Sequence, residues 1–144
     1  MVKVNLVCVG KLKESYLREA AAEYLKRLSR FCKAEITELP ERATLEQEAE
    51  DILKRLRGKV YVLAVEGKQR SSEAFAREIK AVCDRGEELT FVIGSSCGLH
   101  ESVKRGAELL SFSEMTFPHQ LMRIILLEQI YRSFMINAGA EYHK

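Results

Sequence analysis

The chain has no tryptophan, only two prolines and a formal net charge of just +2. Scarce proline, with no Gly/Ser/Pro tract, excludes a linker-rich or collagen-like chain. A balance of 23 basic against 21 acidic residues excludes a bulk polycation, so any nucleic acid must meet a local patch. Cys8, Cys32, Cys83 and Cys97 are far apart and form no C-x-x-C pair. That leaves no zinc or redox motif and reads as reduced thiols. No apolar run approaches the roughly 20 residues of a membrane helix. The opening run MVKVNLVCVGKLKE has a short apolar core and no small-residue cleavage site, so it is not a signal peptide and the expected location is cytoplasmic. What remains is 144 residues, 47% hydrophobic and 31% charged, the composition of one folded domain with a real core.

Strand and helix patterns alternate along the chain. Val2–Val9 is β-branched and apolar and stops at Gly10, a buried strand. From Glu14 to Phe31 apolar residues recur at threes and fours, the spacing of a helix with one buried face. Ala34–Leu39 alternates as a second strand, ended by Pro40. Thr44 and Gln47 fit a capping box, which predicts a helix from Thr44 to about Arg57, closed by Gly58. Lys59–Val65 is nearly continuous apolar strand, as expected where both faces are covered, with Glu66–Arg70 as a polar turn after it. Ser71 or Ser72 caps the next helix, Glu88–Ile93 is a strand, and His100–Ala107 is a short helix before Leu109-Leu110. The sum is an α/β fold, a mostly parallel sheet with helices on both faces.

Ligands bind such sheets beyond the carboxyl ends of the strands, where three loops fall: Glu66–Arg70, Gly94–Gly98 and Ser111–Thr116. Glycines in the second loop let backbone approach a ligand, although neither G-x-G-x-x-G nor G-x-x-x-x-G-K-[ST] is present and a tight strand-to-helix turn explains them equally. Cys97 beside a helix start reads either as a nucleophile partnered by His100 or His119 or as a turn residue. The third loop leads into a helix at Pro118, with Thr116 placed to help cap it. That helix, from Leu121 to Phe134, is apolar over far more than the roughly 100° stripe that one buried face needs. It should pack on the sheet and also meet a second subunit. His119 at its start reads as catalytic or as a packing residue. Arg123 interrupts the apolar run and calls for an anionic partner, in the site or on another subunit. The tail Ala138–Lys144 either frays or serves as a stacking and phosphate-contacting arm.

Four stretches taken together resemble a known family: Phe91–Leu99 (FVIGSSCGL), Ser111–Arg123 (SFSEMTFPHQLMR), Leu126–Arg132 (LLEQIYR) and terminal Tyr142-His143-Lys144. They closely resemble the bacterial large-subunit ribosomal RNA pseudouridine-N3 methyltransferases of the SPOUT class, and the likeness runs the whole chain. The resemblance implies a C-terminal trefoil knot, a homodimer, and S-adenosyl-L-methionine bound in the knot. It also implies a pseudouridine of 23S RNA in the assembled 70S ribosome as target, and no metal. Carried onto this chain, the cofactor contacts are Leu63, Gly94, Phe112, Ser113, Glu114, Met115, Thr116 and Phe117. Arg123, Tyr142, His143 and His119 are the catalytic candidates. The chain departs from the family pattern at Ser95, where a second glycine is common, at Cys97, and at Glu141, where proline is usual. Lys11, Lys13, Lys68, Arg70, Lys104, Arg105 and Lys144 are the candidate RNA patch. Two other readings stand beside this one: a ribosome-associated binding protein that keeps the pocket without transfer, and a thiol-dependent hydrolase using Cys97.

Overall fold

Five short apolar segments lie side by side as strands because none can bury its backbone alone, and amphipathic helices cover the sheet they form. A computed structural model describes residues 1–142. In chain order the elements are β1 (Lys3–Val9), α1 (Ser15–Leu28), β2 (Lys33–Leu39), α2 (Leu45–Leu53), β3 (Lys59–Gln69), α3 (Ser72–Asp84), β4 (Leu89–Ile93), α4 (Glu101–Lys104), β5 (Glu108–Ser111) and α5 (His119–Asn137). The sheet order is β2-β1-β4-β3-β5, and every neighbouring pair is parallel. All strands therefore point their carboxyl ends at the same edge.

Alternation along the strands divides the core in two. On one face Leu6, Tyr61 and Phe91 pack with Leu17, Ile79, Leu126 and Ile130 from α1, α3 and α5. On the other, Val7, Val9, Val62 and Val92 pack with Ala49 and Ile52 of α2 and Val103 of α4. The central strand β4 is buried at every position, as both-sided cover requires. Helices do lie on both faces.

Several boundaries move, each for a physical reason. The capping box at Thr44 and Gln47 forms, but α2 ends at Leu53 rather than near Arg57. The Arg57 N–H is taken by the Thr90 hydroxyl on β4 (3.2 Å), which draws the chain out of the helix. Ser71 caps α3 through the Ala74 N–H (3.0 Å). α4 is cut short by Gly106 at φ +79°, and His100 caps its start through Nδ1, which accepts from the Ser102 N–H (3.1 Å). Thr116 does not cap α5; the cap position is Pro118, with no side-chain bond.

The largest correction concerns β3, which does not turn at Glu66. It pairs with β5 at Tyr61–Leu63, bulges through Ala64–Gly67, and pairs again at Lys68 and Gln69. Apolar patterning ends at Val65, yet ladder bonds need only backbone, so the strand runs on. A Cβ on Gly67 would sit 2.7 Å from the Leu109 carbonyl carbon, so glycine lets the two chains close up after the bulge. Arg70 then fastens this end, reaching Glu78 (2.6 Å) and Glu108 (2.9 Å).

Backbone approach is equally tight at Gly58, at φ +62°, where a Cβ would lie 2.1 Å from the Glu88 carbonyl oxygen. Gly86 has φ +73° with nothing within 4 Å. Urea unfolding of Gly86→Ala should show a loss of about 1 kcal/mol from backbone conformation alone. Gly58→Ala, which adds the clash, should lose roughly 3 kcal/mol or more. Equal losses at the two positions would disprove the contact.

Candidate active site

A cavity of about 560 Å³ opens at the carboxyl ends of β3, β4 and β5, within the usual range for a small-molecule site. Its first wall is the β3 bulge from Leu63 to Glu66, its second the loop from Ile93 to Leu99, and its third the segment from Leu110 to Pro118 with His119 and Met122 of α5.

The second wall is a backbone cradle. A Cβ on Gly94 would stand 2.6 Å from Leu99 Cγ and 2.7 Å from the Gly98 carbonyl oxygen, so any larger residue forces the loop open. Gly98 sits at φ +90° and closes the turn by donating its N–H to the Ser95 carbonyl (2.9 Å). Ser95 donates its hydroxyl to Glu48 Oε1 (3.2 Å) and accepts from the Cys97 N–H (3.3 Å). Glu48 is only 5% exposed, and its other oxygen accepts from the Arg42 N–H (3.0 Å). A buried carboxylate on α2 thus pins the loop from behind.

The third wall holds its own shape. The Ser111 hydroxyl donates to the Ser113 carbonyl (2.9 Å), and the Ser113 hydroxyl accepts from the Met115 N–H (3.0 Å). Across the rim, Lys104 reaches Glu66 (2.8 Å), tying α4 to the bulge. The Lys104 hydrogen bond holds the Glu66 carboxyl below the usual carboxylate range.

Of the expected cofactor contacts, Leu63, Gly94, Phe112, Ser113, Met115, Thr116 and Phe117 line this cavity, and Glu114 does not. His119 lines it too. Arg123 does not. Its side chain is 1% exposed and turns toward the ends of β1 and β2, where Nη1 meets Glu38 (2.5 Å) and Nη2 donates to the Gly10 carbonyl (3.2 Å). One turn of helix separates His119 from Arg123, but Met122 rather than Arg123 points to the cavity.

Tyr142 lies beside the later turns of α5. Its hydroxyl donates to Glu128 (3.0 Å), its ring meets Tyr131 edge-on at 5.0 Å, and the Arg132 guanidinium lies over it at 5.0 Å. His143 and Lys144 lie outside the described residues. The Glu128–Arg132 pair (2.9 Å) was readable as an i, i+4 pair, but its role as a seat for the tail was not. Nothing local could have announced the Glu48–Ser95 bond, which joins residues far apart in the chain.

The other expectations fare differently. Cys97 is exposed and stands outside the cavity lining, and His100 Nδ1 is engaged by Ser102, so no thiol–imidazole pair forms there. Arg70 is buried against its two carboxylates, and Lys104 stands on the cavity rim paired with Glu66.

Leu63, Ile93, Leu99, Leu110 and Met122 give the cavity apolar walls, and Gly94 leaves a stretch of its rim to bare backbone. A family profile described as "Predicted SPOUT methyltransferase" matches residues 2–143. The chain belongs to the SPOUT methyltransferase family. Three relatives of this SPOUT protein bear the name ribosomal RNA large subunit methyltransferase H. Those of Lactobacillus helveticus and Lactobacillus acidophilus are each 50% identical to it, and that of Streptococcus equi subsp. zooepidemicus is 49% identical. In each, the match covers 99% of this chain and 100% of the relative.

Two measurements check the geometry of this SPOUT chain. Burial pushes the Cys8 and Cys32 thiols up to about 12, whereas Cys97 is exposed. Ellman's reagent should label Cys97 first and leave Cys8 and Cys32 untouched until the protein unfolds; rapid labelling of Cys8 would contradict the packing. For Tyr142, burial and then the Glu128 bond push the phenol up to about 12 from 10.0. A raised pKa means its docking is intact below pH 10 and lost as pH rises through about 12. The absorbance difference between the protein and Tyr142→Phe should show that late ionisation. A phenol titrating near its ordinary value would mean the tail is not docked.

Proposed function

We propose that this chain transfers a methyl group from S-adenosyl-L-methionine to N3 of a pseudouridine in large-subunit (23S) ribosomal RNA, acting on the assembled ribosome as a homodimer. The observation that carries the reading is the cavity itself. The bulge within β3 and the loops after β4 and β5 converge on one space, with Gly94 leaving no room for a side chain. Membership of the SPOUT family and the relatives named above support the donor and the RNA substrate. The same family supports threading of the segment after β5 as a trefoil knot, and β5 lying at the sheet edge while α5 returns across α1 and α3 accords with it.

S-adenosylmethionine, when bound, supplies a methyl group on a positively charged sulfur. The residues of this chain do the rest. Leu63, Ile93, Leu99 and Leu110 hold the apolar base, and the loops around Gly94 and Phe112–Phe117 hold the polar part against backbone groups. Methyl transfer is an in-line displacement, so its rate depends above all on holding the two reactants in register. Arg123 serves as a positioning residue, since its bonds to Glu38 and Gly10 fix the rotation of the helix that presents His119 and Met122. Tyr142 and His143 place the target base, and His143 or His119 takes the proton leaving N3.

Two features support the dimer. Leu121 on α5 is 41% exposed and Met115 before it is 74% exposed. Tyr142 is seated at Glu128, roughly 14 Å along the helix from His119. The tail therefore serves the cavity of a second copy better than its own.

The test is methyl transfer to ribosomes from a strain lacking this modification, followed by nucleoside mass analysis. Label should appear as a methylated pseudouridine. Gly94→Val should bind no S-adenosylmethionine by calorimetry, and a chain ending at Ala140 should bind it and transfer nothing. Cofactor binding by the intact chain with unmodified RNA would favour a ribosome-associated binding protein. Absence of cofactor binding would overturn both readings.

A further inference from the structure

The sheet face opposite α5 is only half covered. Along β1 and β2, Val7, Val9 and Leu39 lie under α2, while the amino-terminal halves of the same face carry Lys3, Asn5, Lys33 and Glu35. Because α2 stops at Leu53, those residues floor an open basin of about 260 Å³, rimmed by Arg55, Arg57 and Glu88.

Its charge is unbalanced. Lys3, Lys33, Arg55 and Arg57 face Glu35 and Glu88, and the Glu88 carboxylate accepts from Asn5 Nδ2 (3.1 Å). Among the described residues none of the four cations enters an ion pair, although Arg27, Arg42, Lys59, Arg70, Lys80 and Arg85 all do. Lys3 and Lys33 are direct register partners on adjacent strands, which sets them roughly 4.8 Å apart at the backbone. Like charges opposite each other cost stability.

We propose that this basin holds the phosphodiester backbone of RNA, at a point remote from methyl transfer. The proposal rests on the RNA reading above and deepens it. Phosphates are held by point charges and need no apolar anchor, and the basin offers cations around a polar floor. A protein partner would seek a core of aromatic or apolar residues, whereas the lining has a single apolar residue, Val7, itself buried. The basin and the cavity lie at opposite ends of β4, at Glu88 and Ile93, roughly 16 Å apart along the strand. Contact here orients the substrate without touching the reacting base. It is also on the face away from α5, so a dimer built on that helix leaves it open. This answers how a chain of net charge +2 grips a polyanion: the charge is local.

The decisive variant is Lys3→Gln with Lys33→Gln, assayed on ribosomes and by anisotropy with a labelled, protein-free RNA oligonucleotide. KM for ribosomes should rise on the order of tenfold while kcat and S-adenosylmethionine affinity stay unchanged. The slope of log affinity against log salt for the oligonucleotide should fall by about 2. The thermal midpoint should hold or rise, because a repulsion has been removed, and Arg55→Gln should weaken binding in the same direction. An unchanged KM and salt slope would overturn the proposal. So would a raised ribosome KM with unchanged oligonucleotide binding, which would make the occupant a ribosomal protein. If the parent transfers no methyl group, the function reading fails instead, and the anisotropy comparison still decides the basin.

Discussion

One buried guanidinium holds the last helix to the first two strands. Arg123 reaches Glu38 at the end of β2 and the Gly10 carbonyl at the end of β1, while the same Glu38 oxygen accepts the Leu12 N–H (3.0 Å). Nearby, Gln120 accepts the Lys13 N–H (3.2 Å), so the loop after β1 is tied to the first two turns of α5 at two points. Desolvation offsets much of what such a pair gains from attraction. Its consequence is placement: only one rotation of α5 lets Arg123 reach both partners, and that rotation turns His119 and Met122 toward the cavity.

Everything at the cavity follows from close backbone approach. Parallel strands bring their carboxyl ends together, but a ligand-sized space between three loops requires loops that stay apart from one another and tight within themselves. Gly94 and Gly98 make one loop tight, and the serine hydroxyls of Ser111 and Ser113 do the same for the next. Glu48 and Ser95 anchor that loop to α2, the serine hydroxyl bonding to a carboxylate that is itself buried.

The faces of the sheet divide the labour. The α5 side carries the tail seat at Glu128 and Arg132 and the exposed Leu121. The α2 side carries the uncovered cations. A low net charge and a charged partner are compatible because screening makes only nearby charges count.

From residue pattern alone came the order and type of the elements through α4, the capping box at Thr44, and two of the strand-end loops that line the cavity, Gly94–Gly98 and Ser111–Thr116. Those are properties of neighbouring residues: periodicity, caps and turn chemistry act over a few positions. It also carried the family, through motifs such as SFSEMTFPHQLMR. Only the tertiary structure decided that Arg123 faces Glu38 rather than the cavity, that β3 resumes after its bulge, and that Arg70 is spent on Glu78 and Glu108. The same holds for Lys3 beside Lys33, each unremarkable within its own strand. In each case the deciding partner lies far away in the chain. Local pattern records which way a side chain is allowed to point; packing decides what it meets there.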